Sequence, residues 1–175
     1  MSDTSAVWTA WWDEAKQQLA VARVLVEAHG GSAIFHARMA VELAAKAVRL
    51  APARVGNLHV PVGELAGYTI GQLGGLEAKK GHDPSRILDA SWHPDEALQE
   101  VFQVVAEIER ELGLEPNTLY EACRYPDRWT GGATAPHTRL TLLHAQRVVT
   151  AAARFLEHCS VHLGAGPGGV ADKHE

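Results

Sequence analysis

A short loop carries two arginines that could bind a phosphate group. Arg124 and Arg128 flank Asp127 in a segment whose proline and glycines predict irregular structure, and a guanidinium fork matches phosphate oxygens. In the structural alternative, Arg124 pairs with Asp127 or with a helix C-terminus. Tyr125 and Trp129 would then pack beneath it. The proline after Tyr125 favours an extended backbone, which suits either role.

A lysine elsewhere in the chain has the same two interpretations. Lys46 follows Glu42 by four residues, in the orientation that favours an ion pair on one helix. The spacing predicts a bridge on the helix surface or between two helices. In the alternative, Lys46 contacts a bound phosphate.

Metal binding and thiol chemistry find little support in the sequence. His158 and His162 are four residues apart and could ligate zinc, but zinc needs further ligands and a surface pair explains them. Cys123 and Cys159 belong to no C-x-x-C pair, which argues against a disulfide framework. We therefore expect no metal and no cofactor, and a reducing cytoplasmic setting.

Charge is distributed unevenly along the chain although the net charge is only −5. Residues 77–121 carry eleven acids against four bases, whereas residues 124–154 carry five arginines, Arg147 among them, against one acid. The basic stretch could hold phosphate or an acidic partner surface. It could equally be neutralised by the acidic helix of the same chain or of a second copy.

Length and composition limit the classes of protein that remain. The 175 residues suit one domain, and 46% hydrophobic with 21% charged side chains is ordinary for a soluble globular chain. The small negative net charge gives no global attraction to nucleic acid or to an anionic membrane. The most apolar long stretch, residues 140–163, contains two arginines and a glutamate, so we expect no membrane span.

Apolar residues at alternating spacings of three and four predict four long amphipathic helices. The stripes cover residues 8–26, 34–51, 98–112 and 142–163. A glycine pair, Gly30 and Gly31, ends the first helix, Ser32 caps the second, and Gly113 ends the third. Short helices are predicted near 62–73 and 117–122. The pattern favours an all-α fold, an up-and-down antiparallel four-helix bundle with additional short helices.

The remaining segments carry weaker expectations. Residues 53–91 are interrupted by seven glycines, and residues 164–175 form a glycine-rich tail that we expect to be flexible. Residues 1–163 are therefore predicted to form the single domain. On the second helix, Arg38, Glu42 and Arg49 are expected to lie on the outer face.

Two segments together resemble a known family. Residues 12–25, which begin Trp-Asp-Glu-Ala, and residues 35–47, Phe-His-Ala-Arg-Met-Ala-Val-Glu-Leu-Ala-Ala-Lys-Ala, are similar to the first two helices of HEPN domains (higher eukaryotes and prokaryotes nucleotide-binding). The Arg-Tyr-Pro-Asp loop at 124–127 is the second matching feature. The resemblance implies a helical bundle, often dimeric, that binds nucleotide or RNA. It also implies a toxin–antitoxin setting beside a small nucleotidyltransferase.

The resemblance also draws attention to a candidate catalytic pair. RNA-cleaving HEPN domains carry an arginine followed, after four to six residues, by a histidine, and Arg139 and His144 are placed in this way. The histidine would act as general base on a ribose 2′-hydroxyl, and the guanidinium would stabilise the phosphorane, with no metal. Residues five apart lie about 140° apart on a regular helix. The two could converge only through an irregular first turn or across a dimer interface. Otherwise Arg139 is a solvated residue and His144 a half-buried one.

Three functions follow as hypotheses. The first is a homodimeric module that binds nucleotide, RNA or a partner protein such as a nucleotidyltransferase, with no membrane contact. Its candidate phosphate ligands are Lys46, Arg124, Tyr125, Asp127, Arg128 and Arg147. The second is a metal-independent ribonuclease toxin that uses Arg139 and His144. The third is a non-enzymatic scaffold for protein interaction.

Overall fold

The computed structural model describes residues 4–51, 96–125, 128–129 and 138–163. Within these ranges the chain forms five helices and no strand: α1 (Thr4–Leu25), α2 (Gly30–Leu50), α3 (Glu96–Leu112), α4 (Leu119–Ala122) and α5 (Leu142–His162). The all-α class and the four long helices are therefore confirmed. The short helix predicted near 117–122 is α4. The expectations for residues 53–91 and 164–175 lie outside the described residues.

The long helices pack around α2 and α5. Helix α2 packs against α1 and α5, and α3 packs against α5. Glu100, Glu107 and Glu111 of α3 meet successively earlier residues of α5, so these two helices run antiparallel. None of the described helices is long and apolar enough to cross a membrane.

The link between α1 and α2 differs from the prediction. Helix α2 begins at Gly30, directly after His29, so Ser32 is not its cap. Its first turn lies against other backbone: a Cβ atom on Gly31 would lie 3.3 Å from the Cys123 carbonyl oxygen and 3.2 Å from Leu140 Cδ1. Gly31 therefore suits this close approach, whereas a Cβ atom on Gly30 would make only ordinary contacts at 3.5 Å or more.

Small residues form the seam of the bundle. The buried alanines allow helix backbones to lie close together, and larger side chains such as Ile34, Ile108 and Phe155 fill the remaining space. These alanines are Ala15, Ala22, Ala33, Ala37, Ala40, Ala44, Ala45, Ala47, Ala145, Ala151 and Ala152.

A buried carboxylate fixes the turn that leads from α3 into α4. Helix α3 ends at Gly113, whose φ of +67° is the left-handed conformation that glycine favours. Glu109, only 4% exposed, accepts hydrogen bonds from the backbone N–H groups of Asn117 at 3.0 Å and Leu119 at 2.9 Å. These bonds orient α4 against α2 and thereby place the residues that follow α4.

Candidate functional site

An exposed arginine stacks between two aromatic rings just after α4. The guanidinium carbon of Arg124 lies 4.8 Å from the centre of the Phe35 ring and 5.1 Å from that of Tyr125. Phe35 belongs to the second turn of α2, so the group joins two elements. We call Phe35, Arg124 and Tyr125 the Arg124 platform.

Local hydrogen bonds hold this platform in place. The backbone N–H groups of Arg124 and Tyr125 donate to the Glu121 carbonyl at 2.9 and 2.8 Å, which continues the turn of α4. Trp129 is buried, and its Nε1 donates to the Ala122 carbonyl at 3.1 Å. Trp129 thus packs under the loop as predicted, whereas Tyr125 does not, because 44% of it is exposed. Asp127, the predicted partner of Arg124, lies outside the described residues.

Arg124 differs from the other predicted phosphate ligands in its contacts. Its guanidinium stacks on the two rings, and it forms no ion pair with a carboxylate of the described ranges. Stacking limits the motion of the guanidinium but leaves its N–H donors at the ring edges. An exposed, oriented guanidinium beside an exposed phenol ring can hold a phosphate and stack a base.

Arg128 has a carboxylate partner of its own. Its Nε lies 3.1 Å from Glu121 Oε2, and both side chains are half exposed. An exposed pair of this kind is weak and opens at little cost. Arg128 is therefore close in sequence to the platform, but its charge is shared with Glu121.

Lys46 lies inside the protein and not on a ligand surface. Its Nζ is 2.8 Å from Glu42 Oε1, and the two residues are 6% and 3% exposed. The Lys46 ammonium also lies 4.8 Å from the centre of the Trp11 ring, and Arg38 approaches the second Glu42 oxygen at 3.5 Å. The predicted ion pair is present, but the prediction that Glu42 lies on the outer face is wrong. Its two cationic neighbours allow its charge to be buried.

The basic stretch on α5 is neutralised by the acidic α3 of the same chain. Arg147 donates to Glu107 at 2.7 Å and to Glu111 at 2.8 Å, and Arg154 pairs with Glu100. The hydrogen bond from Arg147 lowers the pKa of Glu111, which keeps the carboxylate ionised. Of the interpretations left open by the sequence, neutralisation within the chain is therefore the one seen for these two arginines.

The candidate catalytic pair converges on the C-terminal end of α3. Arg139 precedes α5 in an irregular turn, donates to the Leu112 carbonyl at 3.2 Å, and stacks over Trp129 at 5.0 Å. His144 Nδ1 accepts the N–H of Thr141 at 3.2 Å in a capping box, and its Nε2 lies 3.4 Å from Glu111. Both side chains have structural partners in this arrangement. With Nδ1 accepting from Thr141 and Nε2 near Glu111, both ring nitrogens face groups of the protein itself.

A second arginine–aromatic stack lies beside the platform. Arg38 lies over the Tyr120 ring, 4.8 Å from its centre. Arg38 follows Phe35 by three residues on α2, and Arg124 follows Tyr120 by four, so the two stacks are about one helical turn apart. Sequence reasoning missed Phe35, Arg38 and Tyr120, because their contacts join segments more than eighty residues apart. The available signal was the helical spacing of an aromatic residue and an arginine in each segment, three residues from Phe35 to Arg38 and four from Tyr120 to Arg124.

A pocket opens next to this second stack, between α2 and α3. It has a volume of about 490 Å³ and is lined by Arg38, Val41, Gln99, Val101, Phe102, Val105, Ala106, Glu109, Asn117 and Tyr120. Burial raises the pKa of the Tyr120 phenol well above its usual range, so the hydroxyl stays protonated.

Neither a metal centre nor a reactive thiol stands out in the described ranges. No group of three or more His, Cys, Asp or Glu side chains that could hold a metal ion occurs in them. Burial raises the pKa of the Cys123 thiol to about 12, which leaves it protonated and unreactive at neutral pH.

Comparison with known proteins identifies a family. The family model described as the HEPN domain matches residues 8–162, nearly the whole chain. No curated protein and no solved structure matches the chain.

Proposed function

The chain belongs to the HEPN domain family, and from that premise we propose that it binds single-stranded RNA or nucleotides through the Arg124 platform. Family membership supports a nucleotide- or RNA-related role. The platform supplies the two groups that single-stranded recognition uses, a guanidinium for phosphate and an aromatic face for a base.

One observation carries the proposal. Arg124 is exposed, oriented by Phe35 and Tyr125, and without a carboxylate partner among the described residues. The other candidate cations are engaged: Lys46 with Glu42, Arg139 with the Leu112 carbonyl, and Arg147 with two glutamates. A phosphate at those positions would have to displace a partner already present.

The same contacts predict how binding depends on salt. Each phosphate neutralised on a single strand contributes a slope of about 0.7 to log Kd against log salt concentration. Binding through Arg124 alone therefore predicts a slope near 0.7. If all five arginines of residues 124–154 contacted phosphates, the slope would be ~3.5.

Two arginine variants test the location of the site. Fluorescence anisotropy with a labelled single-stranded RNA at low salt measures Kd for the unmodified protein, for Arg124→Ala and for Arg110→Ala. Arg110 is also an exposed arginine, but it lies on α3. We expect Arg124→Ala to weaken binding about tenfold and Arg110→Ala to have little effect. An equal loss of affinity in both variants would show that RNA binding depends only on the overall charge of the protein. No binding by the unmodified protein would refute the proposal.

The proposal includes a homodimer. A groove of about 850 Å³ between α1 and α5 is lined by apolar residues such as Leu19 and Val149 and by charged ones such as Lys16 and Glu157, and we place the contact with a second copy there. Ala153 lines the same groove, so Ala153→Arg should convert a dimer into a monomer in light scattering. A monomeric unmodified protein would remove this part of the proposal.

A nucleotidyltransferase partner and a toxin–antitoxin setting extend the proposal from the family resemblance. Co-purification of the chain with a small nucleotidyltransferase encoded beside it is the measurement that tests both. Failure of the two proteins to associate would contradict this extension without touching RNA binding. The ribonuclease alternative, based on Arg139 and His144, stays a prediction that a conservative His144 variant tests below.

A further inference from the structure

The pocket between α2 and α3 has the size and lining of a small-molecule site. Its volume of about 490 Å³ falls within the range of about 300–1,000 Å³ common for such sites. Val41, Val101 and Val105 are buried and form apolar lining, and the rings of Phe102 and Tyr120 add aromatic surface. A flat apolar ring would lose water and gain contact on entering it.

The charged groups of this pocket already face opposite charges or donors. Arg38 approaches Glu42 at 3.5 Å, and Glu109 accepts two backbone N–H groups. An anionic ligand part would meet Glu109, and a cationic part would meet Arg38. The ligand part that enters is therefore best neutral.

Polar groups at the mouth supply both donors and acceptors. Gln99 and Asn117 are exposed side-chain amides that line the pocket, and each offers two donors and an acceptor. The Tyr120 hydroxyl adds a further group that donates and accepts. A neutral aromatic heterocycle with mixed donors and acceptors along its edge is the chemistry that matches this set.

We propose that this pocket binds the nucleobase of a nucleotide whose phosphate contacts the Arg124 platform. The inference rests on the proposed function, because the platform supplies the phosphate contact. The Arg38–Tyr120 stack borders the pocket. It lies about one helical turn from the Phe35–Arg124 stack, both along α2 and along the chain from Tyr120 to Arg124. One helical turn rises about 5.4 Å. The base comes either from an RNA strand or from a free nucleotide.

A filling variant tests the pocket separately from the platform. Ala106 is exposed and lines the pocket, so Ala106→Phe narrows the pocket without entering the core. Ala20→Phe, at an exposed alanine of α1, is the matched control. Gln99→Ala is a second variant at an exposed position. Circular dichroism and thermal unfolding verify that each variant is folded.

The probes are a labelled RNA and the same ribose–phosphate strand without bases. The strand without bases should bind at least fivefold more weakly, since one base contact supplies a factor of this order or larger. Ala106→Phe should weaken binding of the intact RNA by a similar factor and leave binding of the strand without bases unchanged. Ala20→Phe should change neither, and Gln99→Ala should alter the ranking among RNAs of different base.

Each other outcome overturns a distinct part. If Ala106→Phe leaves the intact RNA unchanged while Arg124→Ala weakens it, the pocket inference fails and the proposed function stands. If no RNA binds, the RNA part of the proposed function fails, and saturation-transfer NMR with adenosine, guanosine, cytidine and uridine decides the pocket. Transfer that Ala106→Phe abolishes supports a free-nucleotide site, and no transfer overturns the inference.

Discussion

Removal of the ammonium at Lys46 should destabilise the fold strongly, because it takes away a cation that pairs with a buried carboxylate. Glu42 is 3% exposed, Lys46 is 6% exposed, and 2.8 Å separates Nζ from Oε1. Breaking a buried pair of this kind costs about 3–5 kcal/mol. Arg38, at 3.5 Å from the other oxygen, remains, so we expect Lys46→Met to cost ~3 kcal/mol, the lower end of that range. That is a large part of the 5–15 kcal/mol by which a domain is usually stable.

Urea unfolding followed by circular dichroism at 222 nm measures this loss. Glu42→Leu alone should also destabilise the protein, because it removes a carboxylate 2.8 Å from the buried Lys46 ammonium. The double variant Glu42→Leu/Lys46→Met removes both charges, so its loss should be clearly smaller than the sum of the single losses. A Lys46→Met protein within about 1 kcal/mol of the stability of the unmodified one but deficient in RNA binding would contradict a buried Glu42–Lys46 pair. It would mark Lys46 as an exposed phosphate ligand.

Three further predictions concern the α3–α5 contacts and the turn after α3. Arg147→Leu should reduce stability at neutral pH, and the difference should close as pH falls below the usual Glu111 pKa of 4.5. Arg147 lowers the pKa of Glu111 in the folded protein, so the stabilisation by this pair is present above pH 4.5 and is lost on acidification. A difference in stability that stays constant with pH would contradict this prediction. Glu109→Ala should cost about 3 kcal/mol in urea unfolding, because the buried N–H of Leu119 and the partly buried N–H of Asn117 lose a charged acceptor. A loss under about 0.5 kcal/mol would contradict the turn described. His144→Gln keeps a side chain that can complete the capping box with Thr141. The stability of the protein, and the growth of cells that express it, should therefore stay unchanged. Relief of growth arrest by this variant would support the ribonuclease alternative.

The helices could be predicted because their signals are local. Apolar spacing of three and four placed the last helix at 142–163, and the structure has it at Leu142–His162. Gly113 was expected to end α3, and its positive φ supplies that end. Such signals depend only on the neighbours of a residue along the chain.

The environment of charged residues could not be predicted in the same way. Glu42 was expected on the solvent-exposed face of α2 because carboxylates are usually solvated, but Lys46 and Arg38 neutralise its charge in the interior. Arg147 meets its two glutamates 36 and 40 residues away. The sequence shows the charges but not which of these partners they meet, so the alternatives for α5 remained open.

The candidate site was predicted only in part. Arg124 and Tyr125 were identified from their types and from the loop, but the ring that orients Arg124 is Phe35, on a distant helix. The sequence of the loop does not distinguish Tyr125 from Trp129, but only Trp129 is buried. Its Nε1 donates a hydrogen bond to the Ala122 carbonyl. Which aromatic residue of a loop packs inside depends on tertiary contacts that periodicity does not encode.

Photo-crosslinking tests the location of the RNA site most directly. A single-stranded RNA that carries 4-thiouridine is bound to the intact protein, irradiated and digested, and the modified peptide is identified by mass spectrometry. We expect crosslinks at the Arg124 platform, on Tyr125 or Phe35, the two rings that flank the guanidinium. Crosslinks confined to α5, between Leu142 and His162, would contradict it.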